Sequence, residues 1–151
     1  VRRASRKLGW VGCVKEINTG LLDDLTRSGH VPVVSPLGVD GRGSIYNVNG
    51  DDIAAAIAGA TKAKALVFLT DVDGVRDANG SVISDLDPHM ARRLIRSGVV
   101  SDGMLPKVRA ALGLLADVHA VSIVNGRRPH ALRQALDLSG SGTRIWDRTP
   151  L

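Results

Sequence analysis

Apolar residues along this chain follow two spacings, a three-to-four-residue period in some stretches and near-continuous runs in others, and the two kinds of stretch alternate. Leu21, Leu22 and Leu25 fall on one face of a helix over residues 18–28, with Gly29 as its stop. The run 31–37 predicts a buried strand whose ends Pro32 and Pro36 make irregular. Asp40-Gly41 signals a hairpin turn into a strand over 44–48, an alanine-rich helix follows over 51–60, and 65–69 predicts an apolar central strand. Asn79-Gly80, between Val75 and Val82-Ile83, predicts a second hairpin inserted after that strand.

Downstream, Asp87-Pro88 offers an N-cap and a first-turn proline for a helix ending near Gly98, with Arg92, Arg93 and Arg96 toward its C-terminal half. A helix over 106–116 carries Val108, Ala111, Leu112 and Leu115; 118–124 alternates as a strand; 129–136 predicts a short helix; and 143–146 predicts a strand closing the sheet edge. Strands alternating with helices define an α/β fold, a mostly parallel open sheet with helices on both faces and inserted β-hairpins.

Composition narrows the function classes. The 151 residues suit one domain, with 44% hydrophobic and 23% charged residues. No apolar run reaches membrane-spanning length and the opening V-R-R-A-S-R-K has no apolar stretch of a secretory signal, so the expected location is cytoplasmic. Cys13, the single cysteine, excludes an internal disulfide framework. A net charge of +5 raises nucleic acid as a partner, but the basic residues are scattered and aromatics make up only 3%, so no stacking platform exists and no nucleic-acid partner is expected. His30, His89, His119 and His130 have no metal-ligand spacing, and nothing fits G-x-x-x-x-G-K-[ST].

Three short motifs carry candidate chemistry: Y-N-V-N-G-D at 46–51, L-T-D-V-D-G-V at 69–75 and S-D-G-M-L-P-K at 101–107. The first two lie at the carboxyl ends of predicted strands, where ligands of open α/β sheets collect, and the third places a lysine at a helix start. Taken singly, each has a plain alternative: an Asn/Asp-rich helix cap, a turn before a hairpin, a surface lysine.

In this order and spacing, together with L-G-W-V-G at 8–12, H-V-P-V-V-S-P-L-G at 30–38, V-N-G-R-R-P-H-A-L at 124–132 and G-S-G-T at 140–143, they make the chain similar to the acetylglutamate kinase branch of the amino acid kinase family. The resemblance implies ATP-dependent phosphorylation of the side-chain carboxylate of N-acetyl-L-glutamate, a step of arginine biosynthesis, with Mg²⁺ held mainly by the nucleotide phosphates. It further implies that Asn47 and Asn49 bind the acyl amino acid, that Asp51 organises the catalytic lysines, and that Lys107 stabilises the transferring phosphoryl group. Thr70, Asp71, Val72, Asp73, Gly74, Val75 and Arg76, with Val99, Val100, Ser101, Gly103 and Met104, match segments lining the nucleotide.

The family's opening strand and glycine-rich loop do not precede Val1, so residues 1–151 are expected to be the C-terminal ATP-binding part of the domain, with the missing N-terminal half as partner. Gly50 stands where the family usually has alanine, and Cys13 where an acidic residue is usual. Ala135 stands where arginine-inhibited members carry glutamate, which speaks against arginine feedback. Two further readings remain: a related kinase with an aminoadipate-type acceptor, and a nucleotide-binding or regulatory module without turnover.

Overall fold

The computed structural model describes residues 1–137, 139–140 and 142–146. They fall into two compact units, Val1–Thr61 and Lys62–Leu151, and their helices and strands alternate as an α/β chain.

In the first unit, β1 (Arg2–Arg3) pairs antiparallel with β2 (Gly12–Cys13). Helix α1 follows at Gly20–Arg27, then the antiparallel hairpin of β3 (Leu37–Val39) and β4 (Ile45–Asn47), then α2 at Gly50–Ala60. The hairpin forms where Asp40-Gly41 signals it. One Asp40 carboxylate oxygen accepts the Arg42 and Ser44 amides at 2.9 and 3.0 Å, the other accepts the Tyr46 hydroxyl at 3.1 Å, and these donors, Arg42 first, hold the carboxyl below its ordinary range. Gly12 is required for close packing, since a Cβ there would lie 2.9 Å from the Tyr46 Cβ.

The strand expected over 31–37 is not formed: only its last residue, Leu37, joins a ladder. Val31 and Val33 are 87% and 96% exposed instead of buried. The apolar pattern is that of a strand covered by neighbours, yet no described strand pairs with residues 31–36, and Pro32 and Pro36 cannot donate to a ladder. Helix α1 is likewise bare, with none of its residues buried and Leu21 68% exposed despite the apolar face.

The second unit is closed. Strand β5 (Ala65–Thr70), β6 (Asp85–Leu86), α3 (Pro88–Arg96), α4 (Met104–Leu114), β7 (Ala120–Asn125), α5 (Ala131–Leu136) and β8 (Thr143–Ile145) build a four-stranded sheet in the order β5-β7-β8-β6. Its core is the parallel six-residue register of β5 on β7, from Ala65↔Ala120 to Thr70↔Asn125. Strand β8 runs antiparallel to β7 and parallel to β6, so the sheet is mixed. β8 therefore lies inside the sheet and not at its edge, because β6, a two-residue strand too short to leave a periodic signal, covers its outer side. Four consecutive buried residues, Val121 to Val124, mean that both faces of β7 are covered.

Asp87 caps α3 by accepting the His89 and Met90 amides at 2.8 and 2.9 Å. Helix α4 starts two residues earlier than the pattern indicates, because the Ser101 carbonyl already accepts the Met104 and Leu105 amides, and Pro106 sits in its first turn. The hairpin signalled by Asn79-Gly80 is present as a single antiparallel bridge, Arg76↔Val82. Ser141 of the G-S-G-T segment lies outside the described residues.

Candidate functional site

Because β5 and β7 run parallel and in register, Thr70 and Asn125 end together and send their loops from the same edge of the sheet. The two loops are tied at Asp73. One of its carboxylate oxygens accepts the Asn125 side-chain amide at 2.9 Å and the Arg128 Nε at 2.8 Å. The Arg128 guanidinium, seconded by the Asn125 amide, lowers the Asp73 pKa to about 2, and Arg128 is pushed up in return. Gly74 is fixed by close approach: at φ +144° a Cβ would lie 2.7 Å from the Thr143 hydroxyl oxygen. That hydroxyl accepts the Val75 amide at 2.8 Å and donates to the Ile83 carbonyl at 2.7 Å.

These bonds sort the residues of the β5 loop. Asp73 through its carboxylate, Gly74 through its close approach and Val75 through its backbone amide anchor the loop. Asp71, Val72 and Arg76 are exposed; the Thr70 hydroxyl donates to the Asp71 carboxylate at 3.3 Å, and the Arg76 guanidinium donates to the Gly80 carbonyl at 2.8 Å. Arg127 reaches Asp71 at 4.0 Å with both side chains largely exposed, a pair of little energetic weight.

A second corner precedes α4. Val100 is buried and Val99 half-buried, so the two hold the segment, while Ser101, Asp102 and Gly103 are exposed. The Ser101 hydroxyl donates to the Asp102 carboxylate at 3.1 Å, and Asp102 takes a positive φ of 43°. Met104 opens the helix and Lys107, half-buried, lies one turn into it.

In the first unit, Asn47 is the exposed last residue of β4, and its backbone N–H donates to the Trp10 carbonyl at 2.9 Å. Asn49 is the N-cap of α2: its side-chain oxygen accepts the Asp51 and Asp52 amides at 2.9 and 3.2 Å, leaving only its NH₂ for another partner. Asp51 is half-buried in the first helical turn, where the helix field favours a carboxylate. The rings of Trp10 and of Tyr46 in β4 meet at 5.5 Å between centres, tilted by 47°, and the Arg3 guanidinium lies 5.7 Å from the Trp10 ring centre.

The structure thus joins Asp71 and Asp73 with Asn125, Arg127 and Arg128, three residues that the motif reading left without a role. A signal existed: Asn125-Gly126-Arg127-Arg128 directly follows an apolar strand, as Thr70-Asp71 does. Among the described residues no group of three His, Cys, Asp or Glu side chains could hold a metal, and no helix is long and apolar enough to cross a membrane.

Residues 1–125 match the sequence profile of the amino acid kinase family. The chain belongs to the amino acid kinase family. Among its relatives, the acetylglutamate kinase of Sulfurihydrogenibium sp. is 42% identical over 140 residues, which cover 91% of this chain and 47% of that protein. The acetylglutamate kinase of Agrobacterium fabrum is 44% identical over 139 residues, with 91% and 47% covered. The chain spans about half the length of the curated relatives it matches. Among solved structures, smu.665 from Streptococcus mutans UA159 superposes with a TM-score of 0.80 at 28% identity, covering 95% of this chain and 54% of that one. An N-acetylglutamate synthase from Neisseria gonorrhoeae superposes at 0.87 with 26% identity, covering 94% and 34%. This amino acid kinase chain therefore shares its fold with proteins named for more than one reaction.

Proposed function

We propose that this chain is the ATP-binding half of an enzyme that transfers the γ-phosphoryl group of ATP to the side-chain carboxylate of N-acetyl-L-glutamate, in arginine biosynthesis in the cytoplasm. The observation that carries the reading is that all three motifs fall within a match of over 40% identity to acetylglutamate kinases.

The chemistry suits the residues. A side-chain carboxylate with a pKa near 4.3 is an anion at neutral pH, so the acceptor needs no general base. Catalysis then reduces to holding two anions in line and screening the charge that develops. Lys107 supplies the cation, and Asp51, at the start of α2, would orient the catalytic lysines. Asn47 would hold the acyl amino acid; Asn49, spent as a helix cap on its oxygen, would contribute its NH₂ or act only by placing Asp51.

The nucleotide would lie along the exposed faces of Thr70 to Arg76 and of Val99 to Met104. Asp73 and Gly74 keep the first loop in shape, and the backbone of Ser101 and Gly103 approaches the ligand without bulk. The fit is supported by the small or exposed residues at both corners. Mg²⁺ would arrive on the phosphates, whose oxygens suit its octahedral preference.

Residues 1–151 combined with the N-terminal half of a relative should release ADP in an acetylglutamate-dependent manner, with the acyl phosphate trapped as a hydroxamate. Absence of that signal in a properly folded, nucleotide-binding preparation would overturn the reading. A second reading, a nucleotide-binding or regulatory module without turnover, is favoured by the similarity to a protein named a synthase and by coverage of only half of each kinase relative. An aminoadipate-type acceptor is distinguished by substrate competition in the same assay.

A further inference from the structure

Thr143 opens β8 opposite Ile123 of β7, with 1% of its surface exposed. A hydroxyl buried between apolar strands has to find partners, and both of those it finds belong to the same loop. It accepts the Val75 amide at 2.8 Å and donates to the Ile83 carbonyl at 2.7 Å, one on each leg of the chain between β5 and β6. The legs are joined directly as well, the Ile83 amide donating to the Val75 carbonyl at 2.9 Å. With its proton given to one leg and a lone pair to the other, the hydroxyl has one setting left to it. Gly74 closes against the same oxygen, near enough that a Cβ would collide with it.

The β5 loop thus has two ties of different strength. Asp73 is bonded to Arg128 with both side chains partly in water, where solvent weakens the pair. The Thr143 tie lies in the interior, where a hydrogen bond is stronger and its loss leaves a buried donor without a partner; Val75 has no exposed surface at all. Around this anchored stretch stand the outward residues of the loop, Asp71 and Val72 before it and Arg76 after it. Moving the anchor moves all three together. A ligand held by such a wall is sensitive to displacements of about 1 Å.

We propose that Thr143 is a positioning residue of the nucleotide site: its hydroxyl, held between Val75 and Ile83, sets the place of the 70–76 loop and through it the affinity for a nucleoside phosphate. Buried as it is, Thr143 does not reach a ligand itself and acts through Val75 and Gly74. The seating of β8 and the binding of nucleotide are then coupled, although β8 offers no side chain to the ligand. Coupling of this kind is reciprocal, so the ligand must also steady the tie. The inference rests on the reading of residues 70–76 as a wall of the nucleotide site.

The test is calorimetry of Mg²⁺-ADP binding to residues 1–151 carrying Thr143→Val, which keeps the shape and removes the hydroxyl, or Thr143→Ser, which keeps the hydroxyl. The valine variant should bind at least roughly tenfold more weakly, and the serine variant within about twofold of the wild type. Val118→Ala, which empties a buried position of the same unit outside the loop's bonds, should lower stability and leave ADP affinity unchanged. If the valine variant does not fold, amide exchange on the wild-type chain decides: saturating Mg²⁺-ADP should slow exchange at Val75 at least roughly tenfold more than at Val121 of β7. Undiminished affinity in a folded valine variant, equal losses with valine and serine, an equal loss in Val118→Ala, or uniform slowing across the sheet would each overturn the proposal. A wild-type chain that does not bind Mg²⁺-ADP at millimolar concentration would overturn it together with the ATP-binding reading; binding that ignores the hydroxyl would remove the proposal alone.

Discussion

The two units use similar residues to opposite effect. In Lys62–Leu151 the apolar strands find partners: β5 pairs with β7 over six residues and Phe68, Val121, Ile123 and Ile145 are buried. In Val1–Thr61 an equally apolar run, residues 31–36, pairs with no strand, and among the described residues the only buried apolar side chains are Tyr46, Val48, Ile53 and Ala58. A strand's burial is a property of its neighbours as much as of its own composition. Among the described residues most buried apolar side chains belong to Lys62–Leu151, and Val1–Thr61 holds few.

The largest expected effect follows from that contrast. Residues 1–151 alone should phosphorylate N-acetyl-L-glutamate at least roughly a thousandfold more slowly than the same chain joined to the complementary half, because positioning is lost when one wall of the site is absent. The check is ADP release coupled to hydroxamate formation. A robust acetylglutamate-dependent rate from the chain alone would show that the open unit is finished after all. Weak binding of Mg²⁺ and ADP should survive in the isolated chain, and calorimetry at millimolar nucleotide reads it.

Truncation of side chains sharpens the same contrast. Ile123→Ala removes a fully buried side chain from β7 and should cost about 2–5 kcal/mol of unfolding free energy. Val33→Ala, in the open unit, should change it by less than about 0.5 kcal/mol. Urea unfolding of the two variants reads both; equal losses would mean that residues 31–35 are packed in solution.

The sequence carries the α/β class, both hairpin turns and the cap at Asp87, because each depends on local chemistry: turn residues, capping oxygens and apolar period. What it did not carry depends on partners. The 31–37 run has the pattern of a covered strand, but pattern cannot report whether a neighbour is present. β6 is two residues long and leaves no period, so the pattern puts β8 at an edge, whereas it lies inside the sheet. The clamp of Asp73 by Asn125 and Arg128 spans 52 and 55 residues of chain and becomes visible only when β5 and β7 pair. The resemblance puts Asp73 in a segment lining the nucleotide; the geometry adds a tie between the two loops.

Lys107 tests whether the finished unit holds the chemistry as well as the core. In the complemented protein, Lys107→Ala should lower kcat roughly a hundredfold while the acetylglutamate KM moves far less, the pattern of a cation acting on charge that develops in the transition state. Asp51→Asn should also reduce kcat if it orients lysines. Near-normal kcat in the lysine variant would remove it from the reaction.

The smallest effect concerns the tie between the β5 and β7 loops. Asp73 has a folded pKa of about 2, below the roughly 3.9 of an unfolded aspartate, chiefly because Arg128 donates to its carboxylate. A carboxyl whose pKa is depressed on folding adds stability above its unfolded pKa, and that contribution disappears as the pH falls from about 4 through about 2. Arg128→Ala should raise the Asp73 pKa, followed by its carboxyl chemical shift, and flatten this part of the acid limb. The Asn125 amide would still hold the carboxylate, so the value should stay below that of a free aspartate. Both groups are partly exposed, so salt should weaken the pair, and the change in overall stability at pH 7 should be small. An Asp73 pKa unmoved by Arg128→Ala would mean that Asn125 alone ties the two loops.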